Sequence, residues 1–154
     1  PQLNFYHAAQ VPVYSTSHIF TGIGDPVQDI DLDGIVFGDM PWMLVGDGKI
    51  LELRQKLQRN WPYVHTDLDR LYALGVDSYA ILPHLSRISV DPSARFSGVT
   101  SGLSLDRAGR LQRQLLWARF TRGLPKLVDT FLQHKGQFEI ENDALLSDQP
   151  QPRP

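Results

Sequence analysis

The chain has 154 residues, enough for one domain of ordinary size or for part of a larger protein. Its 42% hydrophobic and 21% charged residues exclude wholesale disorder, its lack of cysteine excludes disulfides and thiolate metal sites, and no apolar run approaches the roughly 18–20 residues of a membrane-spanning helix. Fifteen basic residues against seventeen acidic ones give a net charge of -2, so the overall charge does not point to nucleic acid.

The first sixty residues alternate between helical and strand-like patterns. Apolar side chains at helical spacing in residues 1–10 indicate that the chain begins inside a helix, as expected for a piece cut from a longer protein. β-Branched and aromatic residues then predict a strand over 11–18, and a short continuous apolar run predicts a second strand over 34–39, covered on both faces. Apolar residues three and four positions apart predict an amphipathic helix over 49–60.

Helix signals continue up to residue 88. Thr66 and the carboxylates after it form a capping sequence, and Gly75 is the residue type best able to end that helix in a left-handed conformation. Asp77 is then placed to cap a second helix over 78–88, which Pro83 is expected to bend. We expect these helices to pack on the sheet that the two predicted strands form.

Residues 102–128 have the pattern of antiparallel strands joined by turns. Asp106–Gly109 has an Asp at the start of a turn and a Gly where a positive φ is expected, and a second turn is predicted near Gly123. A continuous helix over 107–120 is the alternative, because Leu, Gln and Arg are good helix formers. Strand alternation assigns the side chains around the second hairpin to two opposite faces, with Leu115 and Trp117 on one and Leu116 and Phe120 on the other.

Strands and helices that alternate and then give way to hairpins predict an α/β fold. The expected architecture is a mostly parallel sheet flanked by helices, with an added antiparallel hairpin or meander. Residues 1–128 would form this folded part. Toward its end, the segment 129–154 becomes rich in Gln and Pro, and we expect a largely disordered or loosely packed tail there.

Three features match a ligand site only in part. Asp29–Gly34 has the first six positions of a calcium loop, but Met40 stands at the twelfth position, where a bidentate carboxylate is needed, so a solvated loop is favoured. Gly46–Lys49 lacks the spacer and the hydroxyl of a phosphate loop and is better explained as a turn. The five histidines show no pair at i+3 or i+4 spacing, which argues against metal chelation by a helix. We predict no metal site and no cofactor.

Polar and aromatic residues follow both predicted strands at the ends where open α/β sheets form a ligand crevice. Four candidates for the lining of a cleft lie there: Ser15, Ser17, Asp39 and Trp42. For Trp42 the alternative is core or hinge packing, and full enclosure of its ring would exclude it as a cleft wall. Ser17 and His18 point to opposite faces of a strand, so we predict no catalytic residue in this segment.

Basic residues concentrate in the segment 107–126, which contains no acidic residue. The ordinary explanation is a solvated strand face that protects an edge against aggregation. The interleaved aromatic residues raise nucleic acid as an alternative, which we predict against. A docking surface for a protein partner is the functional alternative, and its candidate residues are Arg107, Arg110, Arg113 and Arg119.

Four stretches of the sequence together resemble the LppC family, the outer-membrane lipoprotein activators of class A penicillin-binding proteins. They occur in the order and at the spacing of that family and cover roughly residues 1–123. The motifs Pro-Val-Tyr-x-Thr-Ser, Asp-Met-Pro-Trp and Leu-Tyr-Ala-Leu-Gly-x-Asp carry most of the specificity. The four stretches read PQLNFYHAAQVPVYSTSHIF, DLDGIVFGDMPWML, RLYALGVDSYAIL and SGVTSGLSLDRAGRLQRQLLWARFTRG.

This resemblance implies the later part of a two-lobed domain like a type I periplasmic binding protein, and a non-enzymatic function. Activators of this family sit on the periplasmic face of the outer membrane, where they bind and stimulate a bifunctional peptidoglycan synthase. The resemblance therefore implies a class A penicillin-binding protein as partner, and contact with the membrane only through a lipid anchor outside this chain. The alternative is a binding or sensing lobe that holds a peptidoglycan fragment or another small molecule in its cleft.

Overall fold

The structure, a computed structural model, describes residues 11–46, 48–61 and 68–128. The predicted opening helix, the Thr66 cap and the predicted tail lie outside the described residues. The strands are β1 (Tyr14–Ser15), β2 (Val36–Asp39), β3 (Phe96–Ser97), β4 (Gly102–Leu105), β5 (Leu111–Gln114), β6 (Leu116–Thr121) and β7 (Leu124–Leu127). The α-helices, all between β2 and β3, are α1 (Pro41–Leu44), α2 (Gly48–Asn60), α3 (Asp69–Ala80) and α4 (Leu85–Val90).

These strands form two sheets. The large sheet has the order β1-β2-β6-β7, with β1 parallel to β2 and the other neighbours antiparallel. The small sheet has the order β3-β4-β5 and is antiparallel throughout. The two strands predicted in the N-terminal part are therefore neighbours in one sheet, and the α/β class is confirmed.

The large sheet is mixed rather than mostly parallel. Within the described residues, β1 and β2 are the one parallel pair. A parallel pair needs a long crossover, such as the segment between β1 and β2, whereas a tight turn can join only antiparallel strands. The short turns between β4 and β5 and between β6 and β7 therefore produce antiparallel pairing.

The strand predicted over 11–18 is shorter than expected, since β1 ends at Ser15. The chain then turns through a 3-10 segment, Ser17–Ile19, in which the Phe20 backbone N–H donates to the Ser17 carbonyl at 3.2 Å. This turn directs Phe20 into the core, where its ring lies 6.0 Å from that of Phe37 between centroids. Burial of the aromatic ring is stronger than the local preference for an extended chain.

Helix α2 confirms the prediction over 49–60, but the predicted helix end at Gly75 is wrong. Helix α3 runs through Gly75 to Ala80, so Asp77 lies inside the helix and does not cap the next one. An interior glycine costs about 1 kcal/mol relative to alanine, which burial of Ala73 and Ala80 on the same helix offsets. The predicted bend is confirmed, because Pro83 lies in a 3-10 segment between α3 and α4.

The main hydrophobic core lies against one face of the large sheet. Phe37 of β2 and Phe120 of β6 are almost completely buried, and their rings stack with centroids 5.1 Å apart. Trp42 of α1 belongs to the same core. A smaller core lies under the small sheet and is formed by Ala80, Ile81, Ile88, Phe96 and Leu103.

The predicted hairpins are confirmed, and the alternative of a helix over 107–120 is wrong. Gly109 and Gly123 have φ values of +73° and +69° in the two turns, as the turn sequences predict. Leu116 and Phe120 face the core, whereas Trp117 points to the other side of β6. The alternation of buried and exposed residues in this strand is therefore the predicted one.

Candidate functional site

The carboxyl ends of β1 and β2 meet at the side chain of Arg70, which comes from the first turn of α3. Its Nη2 donates to Asp39 Oδ2 at 2.6 Å, to the carbonyl oxygen of Ser17 at 2.9 Å and to that of Phe20 at 2.8 Å. Its Nε lies 3.4 Å from Asp39 Oδ1. The Ser17 and Asp39 segments thus lie together in space, as their positions at the strand ends predict, and a guanidinium bridges them.

This guanidinium occupies the acceptors that a ligand would use. Asp39 is 1% exposed, and its Oδ1 also accepts the backbone N–H of Met40 at 2.8 Å. A buried carboxylate is stable only when it is paired and hydrogen-bonded, and Arg70 supplies that pairing from inside the chain. Arg70 is itself 26% exposed, so the bridge lies at the rim of the structure. The bridge closes this sheet end with an internal ion pair.

Trp42 does not line a cleft. Its side chain has no exposed surface and packs in the main core, and its backbone N–H donates to the Val99 carbonyl at 2.8 Å. The prediction of a cleft wall is therefore wrong, and the alternative of core packing holds, because a large aromatic ring gains most from full burial.

Arg54 of α2 covers the face of Trp42, with its guanidinium carbon 5.2 Å from the ring centroid. Burial lowers the pKa of Arg54, and the nearby carboxylate of Asp69 opposes that shift. The contact is a cation–π interaction at the edge of the core, where the aromatic face and Asp69 together stabilise a partly desolvated charge.

Ser15 and Ser17 are both half-buried. Ser15 lies opposite Phe37 in the parallel register of β1 and β2, and Ser17 contributes its backbone carbonyl to the bridge. A cleft role for the two serines stays a prediction.

A second polar contact, which sequence reasoning missed, is centred on Asp77 of α3. Its carboxylate is buried and accepts the backbone N–H groups of Val99 and Thr100, each at 2.8 Å, and the Thr100 hydroxyl. A Cβ atom on Gly98 would overlap this carboxylate, so glycine allows the close approach. Asp is a poor residue for a helix interior, and that signal points to a partner elsewhere in the chain.

Helix α3 therefore joins the two sheets. Arg70 and Asp77 lie seven residues apart, which is two helical turns, so they occupy the same face of the helix. Ala73, between them on that face, has no exposed surface and lets the helix approach closely. One end of the helix thus holds the large sheet, and the other end holds the turn between β3 and β4 of the small sheet.

The arginines predicted as a partner surface divide into two groups. Arg107, Arg110 and Arg113 are exposed on the β4–β5 hairpin of the small sheet. Arg119 is exposed on β6 of the large sheet, where it lies opposite Val36 on one side and Lys126 on the other. We name the first group, with its turn, the arginine hairpin, residues 105–114.

Asp106 organises the turn of the arginine hairpin. Its carboxylate accepts the backbone N–H groups of Ala108 and Arg110, each at 2.9 Å, and pairs with Arg110 Nε at 2.8 Å. These hydrogen bonds lower the pKa of Asp106, and those from Arg110 have the largest effect. One carboxylate thereby fixes the turn and offsets the charge of Arg110, while Arg107 and Arg113 extend into solvent.

Two of the three carboxylates of the calcium-like loop, those of Asp29 and Asp33, bind backbone N–H groups in turns. Asp33 accepts the backbone N–H groups of Arg122 and Gly123 at 2.9 and 2.8 Å, and Asp29 accepts that of Asp25 at 3.1 Å. In residues 11–46, 48–61 and 68–128, no group of three or more metal-ligating side chains is placed to hold an ion. Across the same ranges, no helix has the length and apolarity needed to cross a bilayer.

Comparison with known proteins identifies the family of this chain. The model of the family described as "LppC putative lipoprotein" matches residues 1–123. The chain belongs to the LppC family. One similar protein is the penicillin-binding protein activator LpoA of Edwardsiella ictaluri, which is 26% identical over 113 residues. That alignment covers 73% of this chain and 16% of the relative, so the chain spans a small part of the length of such proteins.

Two solved structures share the fold. The C-domain of LpoA from Haemophilus influenzae, described as a regulator of PBP1A, matches with a TM-score of 0.65 and 23% identity. A putative branched-chain amino acid ABC transporter from Chromobacterium violaceum matches with a TM-score of 0.50 and 29% identity. The alignments cover 82% and 77% of this LppC chain, and 38% of each solved chain.

Proposed function

We propose that this LppC chain is part of a non-enzymatic regulator that binds a class A penicillin-binding protein and stimulates its peptidoglycan synthesis. The observation that carries the proposal is the family match over residues 1–123, together with relatives that are named penicillin-binding protein activators. The fold likeness to a C-domain described as a regulator of PBP1A supports it. The protein would act at the periplasmic face of the outer membrane, held there by a lipid anchor outside this chain.

The ion pair at the carboxyl ends of β1 and β2 supports regulation through contact with a partner protein rather than through binding of a small ligand. In two-lobed α/β binders the ligand crevice lies beyond the carboxyl ends of the strands. Here the Asp39 carboxylate and the Ser17 carbonyl at that end already bind Arg70, and Trp42 is enclosed. A thermal-shift measurement with amino acids and muropeptides tests this point, since a specific ligand would raise the unfolding temperature of the native protein.

The arginine hairpin is the surface that we propose for the penicillin-binding protein. Arg107, Arg110 and Arg113 are exposed on a hairpin whose turn is held in one conformation by Asp106. Arginine suits a protein interface because its planar guanidinium binds carboxylates through two parallel hydrogen bonds. Arg119 lies on the other sheet and serves as a matched control.

Surface plasmon resonance between the full-length protein and the class A synthase of the same organism tests the proposal. We expect binding at micromolar concentrations or tighter, at least tenfold weaker binding for the Arg107→Glu/Arg113→Glu variant, and unchanged binding for Arg119→Glu. Wild-type protein that does not bind would contradict the function. Equal binding by all three proteins would leave the function intact and exclude the arginine hairpin as the surface.

A further inference from the structure

Within the part of the chain that the structure describes, strand β5 forms the outer edge of the small sheet. The order of that sheet is β3-β4-β5, and all four residues of β5 are exposed. An exposed edge strand presents backbone N–H and C=O groups that a further strand can pair with. The position of β5 within the arginine hairpin makes this edge part of the surface proposed above.

The register of the hairpin determines which backbone groups face outward. The Asp106 N–H donates to the Arg110 carbonyl at 2.9 Å, so the backbone of Arg110 faces β4. Inward and outward positions alternate along an antiparallel strand. The N–H and C=O groups of Leu111 and Arg113 therefore point away from β4, toward the open edge, while those of Gln112 face inward.

The charge around this edge selects the kind of strand that fits. The arginine hairpin, residues 105–114, contains three Arg (107, 110, 113) and one Asp (106), a net charge of +2, whereas the whole chain has a net charge of -2. Arg110 already pairs with Asp106. A strand with carboxylates opposite Arg113 and Arg107 is attracted to this edge, and a basic or second identical edge is repelled.

We propose that an extended acidic segment of the penicillin-binding protein adds to the small sheet as a fourth strand, along β5. This inference rests on the proposed function and names its mode of contact. Backbone hydrogen bonds to Leu111 and Arg113 supply affinity, as in other strand additions, and the arginines select acidic side chains. The half-exposed Leu111 offers an apolar contact on the face of the sheet that it shares with Arg113.

Amide hydrogen exchange of the full-length protein, free and bound to the synthase, tests strand addition without a mutation. We expect the amides of Leu111 and Arg113 to exchange at least tenfold more slowly in the complex. The amide of Gln112, which faces β4, serves as an internal reference and should change less. Binding without added protection at Leu111 and Arg113 would overturn strand addition while leaving the proposed function in place.

Two variants separate backbone pairing from charge. Leu111→Pro removes one outward N–H and keeps every arginine, and proline is tolerated where an edge N–H faces solvent. We expect it to weaken synthase binding at least tenfold, with a far smaller effect for Leu111→Ala and with an unchanged unfolding temperature. Normal binding by Leu111→Pro combined with loss in Arg107→Glu/Arg113→Glu would show docking through charge alone and contradict strand addition. Binding of the wild-type protein to anionic vesicles or to peptidoglycan, without any binding to the synthase, would contradict both the inference and the proposed function.

Discussion

Three aspartates connect parts of the chain that are far apart in the sequence. Asp39 binds Arg70 across 31 residues, Asp77 binds Val99 across 22, and Asp33 binds the Arg122 backbone across 89. Each carboxylate accepts at least two hydrogen bonds, and the two buried ones lie at the ends of the face that α3 presents to the sheets. At the residue scale, the packing of α3 therefore depends on satisfied charges as well as on apolar contact.

Replacement of Asp77 should destabilise the protein without any change in size. In Asp77→Asn, the amide group places N–H donors against the N–H of Val99 or Thr100, so at least one buried donor loses its acceptor. We expect the free energy of unfolding to fall by about 2–3 kcal/mol. Urea denaturation of the full-length protein measures the change. The matched control is Asp31→Asn, at an exposed position, and an equal loss in both variants would contradict the role of Asp77.

Replacement of Arg70 tests the ion pair at the strand ends. Arg70→Met keeps most of the side-chain length but leaves Asp39 buried without a counter-charge, which should cost about 3 kcal/mol, the low end of the range for buried pairs because Arg70 is 26% exposed. The Asp39→Asn/Arg70→Met double variant should lose less than the sum of the two single variants. Strictly additive losses, measured by denaturation of the full-length protein, would show that the two side chains do not interact.

At the scale of elements, the sequence predicts the structure that neighbouring residues determine. It does not predict the structure that depends on residues far apart in the chain. Strand β2, helix α2 and the Gly123 turn follow from apolar spacing and turn residues, because these signals act within a few positions. The sequence prediction failed at Gly75, where packing of α3 outweighs a glycine that would otherwise end the helix. It also missed Arg70, because nothing near that residue indicates that its acceptors come from two strand ends.

Two glycines with the same backbone conformation should respond differently to alanine. Gly109 and Gly123 have φ values of +73° and +69°, but a Cβ at Gly109 meets nothing within 4 Å, whereas one at Gly123 comes within 2.6–2.9 Å of the Pro26 backbone. Gly109→Ala should therefore cost only the left-handed strain of about 1 kcal/mol, and Gly123→Ala clearly more. Thermal unfolding of both variants checks this, and similar losses would show that the Pro26 contact is unimportant.

The turn of the arginine hairpin should loosen in acid. Hydrogen bonds from Arg110 and Ala108 lower the pKa of Asp106, so the stabilisation is present above the unfolded value near 3.9 and is lost as the pH falls through the lower folded value. As the pH falls below about 4, we expect the amide protection factors, which compare the intrinsic exchange rate with the observed one at each pH, to fall at Ala108 and Arg110, whose N–H groups bind the carboxylate. In Asp106→Asn this pH dependence should disappear. Persistence of the same acid effect in the variant would assign it to another group.

At the scale of the whole molecule, two cores and two sheets share one helix. The large sheet carries the family's strand-end motif, but an internal ion pair closes that end. The small sheet carries the exposed arginine hairpin, and its β3–β4 turn is hydrogen-bonded to α3 through Asp77. Composition and motifs predicted the α/β class, whereas the distribution of arginines over two sheets required the tertiary structure, because sequence neighbours such as Arg113 and Arg119 separate at Leu115.

The transpeptidase activity of a purified class A penicillin-binding protein, with and without the full-length LppC protein of the same organism, tests the central claim most directly. Peptide cross-links formed from lipid-linked precursor are measured at increasing concentrations of the LppC protein. The account predicts a saturable rise in cross-linking, with no product formed when the LppC protein is present alone. No rise at concentrations that saturate binding, or cross-linking by the LppC protein alone, would contradict a non-enzymatic activator.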